Sequence, residues 1–333
     1  MRIAIAIESF DPEAGGNERS TAQIAAALGQ RGHEVTILTG GAPDRVRVEG
    51  VEVRRMTRRK SSSVARLLRF ARWARRQLDE GGFDASLSVT MAVAADVVQP
   101  RGGTVRETLA RNVALRQSPA GRAVKKLALA VDPKQRVLLA LEKRTLADPR
   151  VRRIVAVSRY VIEQLAIHYQ IDERRVELIP NASVMPQPDA ETRERWRRQV
   201  RAGFNIPEDT TVFLFAAQNP RLKGFGTLVP ALRRVVDQGH HPVVLLAGRF
   251  GYGHQAWIAE LGVRDQVRIV GPSRSMPKLF AAADVTVLPT FYDPSSKVVI
   301  ESLMMGVPAI SSGRNGASDF ILPEEGPARG RVV

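Results

Sequence analysis

The sequence predicts an α/β protein built from two doubly wound, mostly parallel sheets, one in each of two domains. Three observations predict it. Short apolar runs alternate with helix-periodic stretches along the chain. The alternation breaks once, at a polar, Arg-rich stretch near residues 190–202, and then restarts. A chain of 333 residues is also long enough for two separate cores. The expected domains are 1–175 and 176–333.

The elements follow in order. Residues 3–7 form an apolar run of the kind found in buried parallel strands. A turn with Gly15 and Gly16 leads into a helical stretch from about Glu18 to Arg31, where Ile24, Ala27 and Leu28 recur at helical spacing. Gly32 closes it, and residues 34–38 read as the second strand. Further strands are expected at 46–53, 85–89 and 153–157, and after the break at 211–217, 243–247, 267–270, 285–288 and 309–311. Ligands of such sheets bind at the carboxyl ends of the strands, so two facing sheets place a site in the cleft between them.

Composition narrows the function. With no cysteine, the 333 residues exclude disulfides, thiolate metal sites and a cysteine nucleophile. The stretch from Met1 to Glu8 is too short and too soon acidic for a signal peptide. No apolar run approaches the ~18 residues of a membrane span. The five histidines lack metal-ligand spacing and there is no Asp-x-Asp, so metal-independent chemistry is expected. The net charge of +16 is uneven, because residues 207–333 hold 13 basic and 11 acidic residues, which leaves 37 and 23 in residues 1–206. Such asymmetry speaks of partners, not of fold.

Two basic stretches carry most of the excess. Between Arg54 and Arg76 stand ten basic residues and no acid: Arg54, Arg55, Arg58, Arg59, Lys60, Arg66, Arg69, Arg72, Arg75 and Arg76. Val64, Leu67, Leu68, Ala71 and Trp73 accompany them. In residues 116–144, Arg122, Lys125, Lys126, Lys134 and Arg136 alternate with Leu127, Leu129, Val137, Leu138 and Leu139. Basic amphipathic helices of this kind lie in the headgroup layer of anionic membranes. A cytoplasmic chain, peripheral on the inner face of the cell membrane, is the expectation. The competing account packs the apolar residues on the sheet and leaves the arginines solvated. Nucleic acid is a weaker partner, since aromatics are only 5% and give no stacking platform.

The chemistry concentrates near the carboxyl end. Asp293, Pro294, Ser295, Ser296, Lys297 and Val298 lead into an amphipathic segment with Glu301 inside it. A loop running into a helix offers free N–H groups and partial positive charge to a diphosphate. Two acceptor-only carboxylates suit the hydroxyls of a sugar and a ribose. Ser295 and Ser296 suit a helix cap, a phosphate ligand, or both. Lys297 in a first turn opposes the helix dipole unless an anion is near. Lys223, before Gly224 and after a strand, suits a leaving diphosphate, and Arg221 can reach the same phosphates. In the first domain, Gly15 and Gly16 permit positive φ and close backbone approach. Asp96 can orient or deprotonate an acceptor hydroxyl, and Arg101 with Gly102 and Gly103 can shape an anionic acceptor pocket.

The motif from Asp293 to Glu301, with Gly15-Gly16, Ile179-Pro180-Asn181 and Leu222-Lys223-Gly224, resembles the retaining glycosyltransferases of family four, which have the GT-B fold. The resemblance covers nearly the whole chain. It departs at three places: the first acid is normally Glu, Ala182 stands where glycine is usual, and Gln218 stands where the family places its arginine. Within the family the chain looks most similar to lipopolysaccharide core glucosyltransferases acting on heptose.

The resemblance implies an acceptor-side first domain and a second domain that binds a nucleotide sugar, with UDP-linked hexose the commonest donor. Transfer with retention to a hydroxyl of a glycan or glycolipid then follows by front-face attack, without cofactor. Family members continue with further helices, so a chain truncated at its C-terminus is expected. Two other readings stay open: a polyanion-binding protein on a degenerate transferase fold, and another GT-B enzyme such as an epimerase or a polymerase.

Overall fold

The computed structural model describes residues 1–13, 15–57, 61–116, 118–273 and 275–333. The chain divides into two compact units, Met1–Ile179 and Pro180–Val333.

In the first unit the strands are β1 (Arg2–Ile7), β2 (Glu34–Thr39), β3 (Val51–Arg55), β4 (Ala85–Ser88), β5 (Val97–Val98), β6 (Arg153–Ala156) and β7 (Val176–Leu178). The helices are α1 (Gly16–Gln30), α2 (Ser63–Glu80), α3 (Val105–Ala114), α4 (Pro119–Val131), α5 (Pro133–Ala147) and α6 (Arg159–Tyr169). The sheet runs β3-β2-β1-β4-β5-β6-β7 and every pair in it is parallel. The central strand β1 reads Ala-Ile-Ala-Ile over its last four residues, all buried, as a strand covered on both faces requires.

The second unit contains α7 (Ala190–Gly203), β8 (Val212–Ala217), α8 (Phe225–Asp237), β9 (Val243–Gly248), α9 (Tyr252–Glu260), β10 (Val267–Gly271), α10 (Met276–Ala282), β11 (Val285–Leu288), α11 (Lys297–Met304), β12 (Ala309–Ser311), α12 (Ser318–Ile321) and β13 (Gly330–Val332). Its sheet is parallel in the order β10-β9-β8-β11-β12-β13. Both orders reverse direction beside the first strand of the unit. That places a topological switch point between β1 and β4, and another between β8 and β11.

Five elements differ from the sequence reading. β3 begins at Val51 because residues 43–50 turn: the Val46 N–H bonds the Pro43 carbonyl, Gly50 takes φ +68°, and Val48 bridges Val51 in antiparallel sense. β5, β7 and β13 have only two or three residues, too few to show a period. β7 pairs with β6, so the first unit extends to Ile179 instead of ending at 175. The polar stretch at 190–202 is the helix α7. Trp196 and Val200 pack it on the second core, and the buried Arg201 donates to Asp284 at 2.8 Å.

The two basic stretches also take different places. In α2, Leu67 and Phe70 are fully buried under the sheet and Trp73 packs beside them, so this part of its apolar face is already covered. Arg58, Arg59 and Lys60 lie outside the described residues. Residues 116–144 split at Asp132. α5 turns Val137, Leu138 and Leu141 inward, whereas α4 buries no residue at all. Val124, Leu127 and Val131 of α4 are 70%, 67% and 64% exposed, one helical stripe open to solvent.

Candidate active site

The second switch point gathers the expected donor residues. β8 runs into the turn 218–224, where the Lys223 N–H bonds the Asn219 carbonyl at 3.1 Å. Gly224 has φ +90°, and a Cβ there would stand 1.9 Å from the Pro289 carbonyl oxygen. Only glycine lets this turn lie against the segment that follows β11. The two loops are then stitched together. The Thr290 hydroxyl and the Phe291 N–H both donate to the Leu222 carbonyl, at 3.0 and 2.9 Å. The result is an ion pair between the Lys223 ammonium and the Asp293 carboxylate, joined across the switch point.

Asp293 is held from all sides. Its N–H donates to the Arg314 carbonyl at 3.0 Å, its own carbonyl accepts the Gly316 N–H at 2.8 Å, and its second carboxylate oxygen accepts the Ser295 N–H at 3.2 Å. Asn315, which the sequence reading missed, organises the loop. Its side-chain oxygen accepts the N–H groups of Ser296 and Ala317, and its amide donates to the Ser311 hydroxyl. Its signal was faint: an Asn directly before Gly316 and two residues after Gly313, ordinary turn chemistry.

The start of α11 keeps capacity free. Ser296 occupies the N-cap position with no side-chain cap bond. The Ser295 hydroxyl is enclosed and meets no hydrogen-bond partner among the described residues. A buried polar group left without a partner is costly unless something else completes it. Lys297 is half-buried in the first turn, and Val298 packs against the core. Glu301, one turn on, accepts the Ser183 hydroxyl at 2.8 Å, while Asn181 donates to the Ser295 carbonyl at 3.1 Å. The Pro180-Asn181 segment thus braces the helix that carries Glu301. Arg221 is exposed, and neither an ion pair nor a hydrogen bond engages it among the described residues.

In the first unit the expected residues are less closely gathered. Gly15 is extended, with φ −163°, and Gly16 begins α1. Neither takes the positive φ that the sequence reading invoked. A Cβ on Gly15 would meet only the Glu18 carboxylate, and one on Gly16 would meet open space. Asp96 does not point to a ligand edge. It precedes β5, level with Ser86 near the amino end of β4, and one carboxylate oxygen accepts both the N–H and the hydroxyl of Ser86. Short strands with no helix between them explain this: the chain turns back at Asp96, and the carboxylate locks the turn.

Arg101 sits on the loop after β5, where it donates to the Gln99 side chain at 2.8 Å and to the Asn17 carbonyl and Thr21 hydroxyl at 2.9 Å. Burial pulls its guanidinium down to about 10, and no carboxylate pairs with it among the described residues. Away from this edge, Glu142 is fully buried under α3 and accepts the first two N–H groups of that helix, from Val105 and Arg106. No group of three His, Asp or Glu side chains placed to hold a metal occurs among the described residues.

Comparison with known proteins places this geometry. The model of Glycosyltransferase Family 4 matches residues 14–182, and that of Glycosyl transferases group 1 matches residues 197–333. The chain is 21% identical to the lipopolysaccharide glucosyltransferase WaaG of Escherichia coli K12 over 331 residues, which covers 96% of this chain and 83% of that protein. It is 24% identical over 176 residues to an uncharacterized glycosyltransferase of Methanocaldococcus jannaschii, 52% of this chain but only 45% of that one. Among solved structures, WaaG superposes with a TM-score of 0.74 at 20% identity, over 99% of this chain and 85% of WaaG. The Anabaena protein HepE, in complex with UDP and glucose, superposes with a TM-score of 0.63 at 18% identity, over 100% of this chain and 85% of its own. These likenesses show the GT-B fold, two Rossmann-like domains.

Proposed function

This chain belongs to Glycosyltransferase Family 4, and from that premise we propose that it moves a hexose from a UDP-linked donor to a hydroxyl of a glycan or glycolipid, of the lipopolysaccharide core type, with retention. The observation that carries the reading is the Lys223–Asp293 pair at the second switch point, beside an α11 start with an unpartnered Ser295 hydroxyl. The N–H groups of that start and the Ser295 hydroxyl receive the diphosphate. Lys223, with three donors, divides them between Asp293 and the leaving phosphate as negative charge develops there. Asp293 also accepts from the sugar, and Glu301, held by Ser183, accepts from the ribose. In the step itself the bond from the anomeric carbon to the phosphate oxygen breaks. The bond to the acceptor oxygen forms on the same face, and the acceptor proton passes to the leaving phosphate. Arg101 supports an anionic acceptor on the first unit. The similarity to WaaG supports the choice of acceptor class.

Calorimetry with UDP and with UDP-glucose tests the donor site. Wild type binds both. Glu301→Gln weakens both, because an amide accepts less than a carboxylate, and Asp293→Ala weakens only UDP-glucose. Equal losses for the two ligands in Asp293→Ala would contradict the assigned roles, and no binding of either by wild type would overturn the reading.

A lipid-borne acceptor gives α4 a purpose. Its exposed stripe of Val124, Leu127 and Val131, flanked by Arg122, Lys125 and Lys126, has the form of an interfacial helix on an anionic membrane. Flotation on phosphatidylglycerol vesicles is expected at low salt. It should fall at high salt and be lost in Leu127→Glu, or when Arg122, Lys125, Lys126 and Lys134 all become Glu. Absence of flotation at low salt sinks the membrane role.

A further inference from the structure

Parallel strands are usually joined through a helix, yet β4 and β5 are joined by residues 89–96 with none. Between α2, α5 and this connection lies a crevice of about 230 Å³. Its floor is aliphatic: Leu68, Ala71, Ala92, Val93, Ala94 and Leu141. Its polar lining is mostly engaged already. The Thr145 hydroxyl donates to the Met91 carbonyl at 3.0 Å. Asp148 accepts Arg75 at 2.7 Å and the Arg150 N–H at 3.0 Å. Asp79 takes the Arg150 guanidinium and the other side of Arg75. Two carboxylates and two guanidiniums close on one another. Arg72 and Arg144 remain: both line the crevice, both are exposed, and no hydrogen bond or ion pair engages either among the described residues.

Two uncompensated guanidiniums over an aliphatic floor define a ligand. Arginine matches phosphate oxygens in a planar fork, and the floor gains by covering methylenes. A sugar phosphate would satisfy the arginines, but its hydroxyls would meet aliphatic side chains and carboxylates already paired. We propose that the crevice binds the phosphate ester of an anionic amphiphile, its phosphate between Arg72 and Arg144 and its first methylenes on the floor. The proposal rests on the membrane-facing reading of this unit, and a soluble probe keeps the two separable.

The probe is dihexanoyl-phosphatidylglycerol, kept below its micelle concentration and titrated calorimetrically into the full chain. Dihexanoyl-phosphatidylcholine and glucose 6-phosphate are the comparators. The anionic lipid should bind at least about tenfold more tightly than either. The double variant Arg72→Ala, Arg144→Ala should lose at least about tenfold, with the fold kept because both side chains are at the surface. Ala71→Trp, which fills the floor, should lose binding with both arginines in place. UDP affinity should stay unchanged in these variants, since the donor residues lie in the other unit. Leu127→Glu should lose vesicle flotation yet keep the soluble lipid. The proposal is overturned if wild type does not bind the lipid, if glucose 6-phosphate binds equally well, or if the double variant binds like wild type. Loss of the soluble lipid in Leu127→Glu alone would move the site to α4 and equally overturn it.

Discussion

The first unit sets its strands in the order β3-β2-β1-β4-β5-β6, with β7 added, and the second repeats that order as β10-β9-β8-β11-β12-β13. The ends of the switch strands nevertheless differ. In the second unit the loops after β8 and β11 bring a lysine and a carboxylate together. In the first, the loop after β1 carries acids but no lysine or arginine before its two glycines, and the loop after β4 has no charged residue until Asp96, whose carboxylate holds Ser86. The first unit instead puts its buried carboxylates at α3, Glu107 on the helix and Glu142 beneath its start, and carries its excess positive charge outside, on α2 and α4. The repeated architecture supplies a place for a ligand twice. Side chains decide whether that place performs charge chemistry or presents a surface.

The largest expected effect separates two helices of the first unit. Phe70→Ala in α2 removes a fully buried ring and should cost about 3–5 kcal/mol. Leu127→Ala in α4 should stay within about 0.5 kcal/mol, because that side chain is 67% exposed. Denaturant unfolding read on Trp73, the tryptophan of this unit, measures both. Similar losses would mean that α4 is packed after all and would remove the argument for its membrane role.

Next comes turnover, where the two switch points should diverge. Lys223→Ala should lower the rate of UDP release about 10²–10³-fold, the scale for losing one group that meets developing charge, with unfolding unchanged. Asp96→Ala should leave turnover near wild type and cost about 1–3 kcal/mol of stability, since it strands the Ser86 N–H. A catalytic collapse in Asp96→Ala with normal stability would restore it as an acceptor residue.

The legibility of the molecule follows from the same contrast. The long buried strands β1, β2, β8 and β9 were readable because five or six consecutive residues carry their pattern. β5 and β13 were not, since strands this short are defined by what they pair with. Asp293, Ser295, Ser296 and Glu301 stood in one recognisable motif because neighbours in sequence there are also neighbours in space, whereas Lys223, 70 residues away, stood in a separate one. Asn315 and Ser183 act through contacts 19 and 118 residues distant in the chain, which local pattern does not disclose. Asp96 was placed by the sequence only as a loop residue after a strand, and its partner Ser86, ten residues back, is found only by the fold. The helices α2 and α4 are both basic and amphipathic, and unlike in burial. Amphipathicity says that a face exists, and tertiary packing says what covers it.

The smallest effect expected is in the acid stability of the two units, and its sign should differ between them. In the second unit Asp284 is partly desolvated, which pushes its carboxyl up. The Val212 N–H and the guanidiniums of Arg197 and Arg201 outweigh this and hold it below the usual range. With the unfolded value near about 3.9, the unfolded chain binds more protons in the window just below. This group's stabilisation is therefore present above the unfolded value and is lost as pH falls through the folded one. In the first unit burial pushes the Glu142 carboxyl up, against the N–H groups of Val105 and Arg106 and the Tyr169 hydroxyl that accompany it. There the folded chain binds more protons just above about 4.3, so stability falls as pH rises through that window. Unfolding from pH 2 to 7 can be followed unit by unit, on Trp73 for the first and on Trp196 and Trp257 for the second. Relative to wild type, Asp284→Asn should lose ground as pH rises from the acid end, whereas Glu142→Gln should gain ground above the ordinary glutamate range. Parallel shifts in both variants would show that the two carboxylates are balanced alike, and the electrostatic contrast between the units would fall.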